Sequence, residues 1–194
     1  MAVNAENVKL GVCNVSFGGE DLGATKGGVE MTVETSTHEV IVDQTGETPI
    51  NEYIMGRRVT VAVPLAETTL QNLVKIMPGA SLVGSGDSLR VDVPTGVGLS
   101  LLDMAQPLVL HPVGLPEADK SEDVTIYLAG TAGQMNFAYR VDEERVYNVE
   151  FKGYPDPDND DALFGFGDPL ALGDGGTGGG SGGGTIPGDD EEDD

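Results

Sequence analysis

Tyr147-Asn-Val-Glu-Phe-Lys-Gly-Tyr-Pro-Asp-Pro-Asp-Asn-Asp-Asp-Ala-Leu-Phe-Gly-Phe-Gly-Asp168 is the stretch on which the fold of this 194-residue chain turns. Its first residues alternate, with Tyr147, Val149 and Phe151 on one side and Asn148, Glu150 and Lys152 on the other, the period-2 pattern of a half-buried strand. The pattern breaks at Gly153-Tyr154-Pro155 and ends in an aromatic-glycine-aspartate clasp, Phe164-Gly-Phe166-Gly-Asp168. Beyond the clasp the chain is mostly glycine and acid, a composition that cannot bury a core. The folded unit is therefore expected to span residues 1–168, with 169–194 as a disordered, Gly-rich acidic tail.

Working backwards, the same period recurs. Residues 8–17 read as an opening strand, followed by a glycine-rich loop at 18–23. Val29, Met31 and Val33 alternate with Glu30, Thr32 and Glu34, and His38–Asp43 is expected as a neighbouring strand. A polar loop from Gln44 to Gly56 leads to a strand at Arg57–Val63. Ala66, Leu70, Leu73, Val74 and Met77 form one apolar stripe at helical spacing, so a helix is expected over Leu65–Met77, with Pro64 at its start and Pro78-Gly79 ending it. Strands are read at Leu89–Val93, Leu108–Leu110, Asp123–Leu128, Gln134–Val141 and Arg145–Lys152, the last two as a hairpin turning at Asp142-Glu143-Glu144. The sum is a mainly β chain, an antiparallel sandwich or barrel-like sheet with one flanking helix.

Charge narrows the function classes. Residues 1–152 hold all ten basic residues against 21 acids, a balance of −11, and residues 153–194 add twelve acids and no base. Nucleic-acid recognition needs clustered Lys and Arg, so specific DNA or RNA binding is not expected. The single cysteine, Cys13, cannot form an internal disulfide and reads as a small buried side chain. No apolar run is long enough to span a bilayer, and Met1–Glu6 lacks the blocks of a signal peptide, so the chain is expected to be used where it is made.

No catalytic constellation emerges. Gly179-Gly-Ser181-Gly-Gly183 matches a nucleophile-elbow pattern only inside the glycine linker, with no histidine after it. Asp156, Asp158 and Asp160 suggest a calcium loop, but Asp161 stands where glycine is needed and Gly167 where the bidentate glutamate belongs, which favours an acidic surface turn. His38 and His111 are isolated, with no second ligand at metal spacing. No enzyme, metal or cofactor is expected.

Taken in order, several segments resemble the major tail tube proteins of long flexible-tailed bacteriophages. They are Asp21–Val33, His38–Ile50, Met55–Glu67 with the helix, Val146–Pro155, and Phe166-Gly-Asp168. The resemblance implies a structural virion protein that closes into hexameric rings. Those rings would stack into a hollow tube around a tape measure protein, capped by tail terminator and tail tip proteins. Genomic DNA would pass through the lumen without specific binding, and the subunit would be assembled in the bacterial cytoplasm; the balance of −11 over residues 1–152 adds the expectation that this lumen is acidic. It further implies an inter-ring stacking loop carrying Gln44, Glu47, Pro49, Asn51 and Tyr53, an N-terminal arm contact through Val3 and Asn4, and a closing motif of Phe164, Phe166 and Asp168. The competing expectation is a virion-surface β-sandwich that binds a receptor or glycan.

Overall fold

A computed structural model describes residues 11–86 and 88–169. The elements run β1 (Cys13–Phe17), β2 (Glu20–Asp21), β3 (Glu30–Val40), β4 (Asn51–Leu65), α1 (Leu70–Ile76), β5 (Ser81–Ser85), β6 (Ser88–Asp92), β7 (Gln106–Pro112), β8 (Val124–Thr131), β9 (Tyr147–Tyr154) and β10 (Phe164–Phe166). The chain is thus mainly β and antiparallel, with a single α-helix among the described residues. The acidic tail beyond residue 169 and the arm residues Val3 and Asn4 lie outside the described residues.

Eight strands join in one antiparallel sheet of order β2-β1-β7-β8-β9-β4-β3, with β10 also paired to β8, while β5 and β6 form a separate hairpin. β9 has the alternation read from its sequence: Tyr147, Val149 and Phe151 are buried and Asn148, Glu150 and Lys152 exposed. One of its edges pairs with β4, Leu65 opposite Tyr147 through Thr60 opposite Lys152. The other pairs with β8 from Phe151 onward. β10 runs in the same direction as β9 and lies against the earlier part of β8, Phe164 opposite Ile126. It resumes the line of β9 after the excursion at 155–163, so the aromatic clasp is a strand.

The sheet curls. Phe17 of β1 and Phe151 of β9, three places apart in strand order, have ring centroids 5.0 Å apart. The segment after β2 crosses to β4, where Thr25 bridges Leu65 and the Ala66 N–H donates to the Ala24 carbonyl. The inner face holds Val15, Phe17, Leu22, Val59, Val61, Val63, Leu65, Leu108, Ile126, Val149 and Phe151. Phe151 is 1% exposed, and burying a side chain of that size contributes about 2–3 kcal/mol.

Four expectations need correction. The helix occupies Leu70–Ile76 rather than Leu65–Met77, because Leu65 is still paired with Tyr147 and Pro64 lies inside β4. Thr69 caps it, its hydroxyl accepting from the Asn72 N–H at 3.2 Å. Its most buried side chains are Asn72 and Ile76, and the Asn72 amide donates to the Leu22 carbonyl at 2.7 Å. Next, His38–Asp43 is no separate strand: Glu30–Val40 is one strand paired along its length with β4.

The loop expected over Gln44–Gly56 ends at Ile50, whose N–H donates to the Val40 carbonyl at 2.9 Å, and β4 starts at Asn51. A β-bulge hid this strand: Ser36 faces Gly56 while Thr37 faces Ile54, which leaves Met55 as an extra residue that breaks the alternation. Finally, Gln134–Val141 is not a strand and the hairpin turning at 142–144 does not form. Gly133, at φ +70, ends the line of β8, and only Asn136 bridges to Asn148 on the short stretch of β9 edge left open.

Gly153 sits where β9 crosses the core. A Cβ there would meet Val59 Cγ1 and Ile126 Cγ2. Gly153→Val is expected to lower stability by about 1–3 kcal/mol through overpacking, read as a lower urea midpoint with unchanged slope; a wild-type midpoint would contradict this packing.

Candidate functional site

The feature that sets this fold apart from a closed β-body is the outer part of β3 and β4. From Arg58 toward the turn, every residue of β4 is exposed, and β3 is exposed at nearly every position. The buried alternation of β4 begins only at Val59. The two strands therefore leave the core as a ribbon with solvent on both faces. Its outer end exposes apolar side chains, Ile41, Ile50, Tyr53, Ile54 and Met55, beside the acids Glu39, Glu47 and Glu52. The outer edge of β3, 11 residues long, pairs with no other described strand.

The residues assigned to a stacking loop gather at this end but not in one loop. Gln44 sits in a 3-10 turn at Asp43–Thr45, Glu47 and Pro49 lie in the connection, and Asn51 and Tyr53 belong to β4. The Thr45 hydroxyl lies near the Val42 and Thr48 carbonyls at 3.1 and 2.9 Å, and Gly46 takes φ 63, which shapes the turn. Glu34 and Arg58 pair across the ribbon at 3.5 Å, and both are well exposed, so this pair contributes little. Tyr53 faces His38, while the bulge at Met55 puts Ile54 and Glu52 on the side that continues the Val59 and Val61 face.

The closing motif is held from a different direction. Phe164 packs on the core while Phe166 stands largely in solvent, their rings edge-on at 5.7 Å. The Gly167 N–H donates to the Asp123 carbonyl at 2.8 Å. Asp168 follows directly. The aspartate run at 156–161 folds back on itself: the Asp156 side chain accepts from the Asp158 N–H, and Asp160 and Asp161 both take positive φ.

Two clusters escaped the sequence reading. In the first, the Asp123 side chain, 1% exposed, meets His111 Nδ1 at 2.6 Å, and Lys120 Nζ lies 3.7 Å from its other oxygen. His111 Nε2 faces the Leu115 carbonyl at 3.4 Å rather than a hydroxyl or thiol. Both ring nitrogens thus face acceptors, so the pair fastens the 113–122 connection over the outer face of β7 and β8. The register gives the missing signal: Val109 faces Thr125, which brings positions 111 and 123 together as the ladder ends. In isolation His111 carried no such information.

In the second cluster, the Arg145 guanidinium carbon lies 5.3, 5.5 and 6.0 Å from the ring centroids of Tyr147, Tyr139 and Phe137. Arg145 also donates to the Thr68 hydroxyl at 2.6 Å. Beside it, Lys26 hydrogen-bonds Glu144. These contacts hold the irregular segment 132–146 against the end of β4. The hydrogen bond from Lys26, a backbone hydrogen bond and the Lys26 charge hold the Glu144 carboxyl below the usual glutamate range. Burial pushes the Cys13 thiol up, in keeping with a side chain packed against the core.

No protein-family model matches this sequence, and no curated protein is significantly similar to it. Asp123→Ala removes the buried partner of the His111 hydrogen bond and is expected to lower stability by about 1–3 kcal/mol, measured by thermal or urea unfolding; a loss under about 0.5 kcal/mol, the size expected at an ordinary surface site, would contradict the burial. Glu144 has a depressed folded-state pKa, so its contribution is full above the unfolded value and is lost as pH falls through the lower folded one. In an NMR titration the Glu144 carboxyl should therefore titrate below a free glutamate, and Lys26→Met should return it toward the ordinary value.

Proposed function

We propose that this chain is the structural subunit of a phage tail tube, closing into hexameric rings that stack into a hollow conduit for DNA. One observation carries the reading: a long, exposed strand edge on a ribbon whose end exposes Ile41, Ile50, Tyr53, Ile54 and Met55, in a chain of net charge −23. An unpaired edge of this length is an aggregation hazard on a monomer. Edge pairing around a closed ring turns the same hazard into an assembly rule, and stacked heterologous contacts extend rings into a filament. The negative charge supports the same reading, since a bore of like sign lets phosphate slide without adhering.

The exposed Tyr139, beside Phe137 and Arg145, favours a second reading. An aromatic platform suits a virion-surface module that binds a receptor or glycan as a monomer. The two readings separate by oligomeric state.

At high protein concentration, negative-stain electron microscopy with size-exclusion chromatography is expected to show rings or hollow tubes. A chain that stays monomeric even with its tail-initiating complex, and binds glycan in that state, would replace the first reading with the second. Deleting residues 47–54 removes the end of the ribbon and leaves the inner face of β4 untouched. The product should be a folded monomer by circular dichroism that forms no tubes; normal tubes from this deletion would sink the assignment.

A further inference from the structure

The strand register builds a polar hollow on the outer face of the sheet. Glu30, Ala62 and Glu150 lie opposite one another across β3, β4 and β9, so their side chains stand in one row on that face. Pro64, Asn148 and Asn136 make the next row, because Pro64 pairs with Asn148 and Asn136 bridges Asn148 from the other side. The small Ala62 between two glutamates leaves a dip, and residues 26–28 and 134–136 wall it in. This hollow holds about 530 Å³ and continues past Phe137 into a second of about 480 Å³; the two share Lys26, Gly27, Asn136 and Asn148. Each lies within the range of about 300–1,000 Å³ common to small-molecule sites.

The groups gathered here suit hydroxyls. Asn136 and Asn148 project from one face with Cβ atoms about 5 Å apart, as directly opposed residues do. Among the described residues, neither carboxamide has a hydrogen-bond partner within the chain. Each offers two N–H donors and an acceptor oxygen, the combination that neighbouring hydroxyls of a sugar both accept and return. Glu30 and Glu150 add acceptors for hydroxyl protons. The cations of the hollow are already engaged, Lys26 by Glu144 and Arg140 by Glu143, which disfavours an anionic ligand. Pro64, Met135 and Phe137 set apolar surface beside the polar groups, as the C–H face of a sugar ring needs. The wall is also fixed in advance: Phe137 meets Tyr147 edge-on at 4.9 Å, Met135 packs on the core, and Arg145 ties the segment to Thr68. A site held in place binds with a smaller ordering cost.

We infer that this hollow is a binding site for a neutral oligosaccharide. Asn136, Asn148 and Glu150 hold its hydroxyls, and Phe137 and Pro64 receive the apolar face of a ring. The inference goes beyond the tube reading and does not rest on it. The site is also distinct from the exposed Tyr139 ring, which does not line the hollow.

Saturation-transfer NMR on the full-length chain, below the concentration at which it assembles, tests the site with maltotriose, cellotriose and chitotriose as probes. Transfer to at least one of the three is expected. Asn148→Ala should weaken that binding about tenfold, the loss of a single polar contact, with thermal unfolding unchanged because the side chain is exposed. Ala62→Arg fills the dip and engages Glu30 and Glu150, and it should abolish the transfer. No transfer to any of the three sugars would overturn the site. Binding that survives both substitutions would also overturn it and move the sugar to the Tyr139 ring. Binding of spermidine in preference to all three sugars would make the hollow a site for cations and overturn the ligand class. Each result is read on the unassembled chain, so failure here is separable from failure to form tubes.

Discussion

Everything in this fold hangs on β9 being paired along both edges while one of its faces is buried. Its pairing with β4 fixes where Val59, Val61 and Val63 point, and its pairing with β8 sets the curl that brings Phe151 to Phe17. A one-residue slip of β9 would turn Tyr147, Val149 and Phe151 into solvent and bring Asn148, Glu150 and Lys152 into the core. That alternative is costly enough to fix the register by itself. The return of β10 to the same side of β8 then covers the edge that β9 leaves, and the closing aromatics complete the ladder.

Strands with one dry face and one wet face were plain in the sequence, because their period is a direct image of the interface between core and water. β9, the inner half of β4 and β7 are of this kind. The ribbon was obscure for the same physical reason: with solvent on both sides, no burial imposes an alternation, and the Met55 bulge removes what remained. The helix was legible in kind but not in extent. Its stripe of Ala66, Leu70 and Val74 ignored the ladder that keeps Leu65 in β4, a tertiary demand that local spacing cannot display. Asp123 and His111 lie twelve positions apart, and only the strand register makes them neighbours.

The assignment of stacking residues shows the same division. Gln44, Glu47, Pro49, Asn51 and Tyr53 do collect at one extremity of the molecule, although the backbone there is turn and strand instead of a single loop. Composition marks a region as exposed; it does not say whether the exposed backbone is paired. The acidity of the chain, −23 in all, opposes association of like copies over most of the surface.

The bulge at Met55 has one more consequence, for how the length of this arm can vary. Outward of the extra residue, Ile54 and Glu52 take the side they would otherwise have yielded to Met55, Tyr53 and Asn51. Removing Met55 itself would close the bulge with Ile54 still opposite Thr37 and Glu52 still opposite Glu39, so both faces of the arm's end would stay as they are. The unbroken alternation of β3 decides which side each partner takes, and an extra residue on β4 alone is absorbed without turning the arm over.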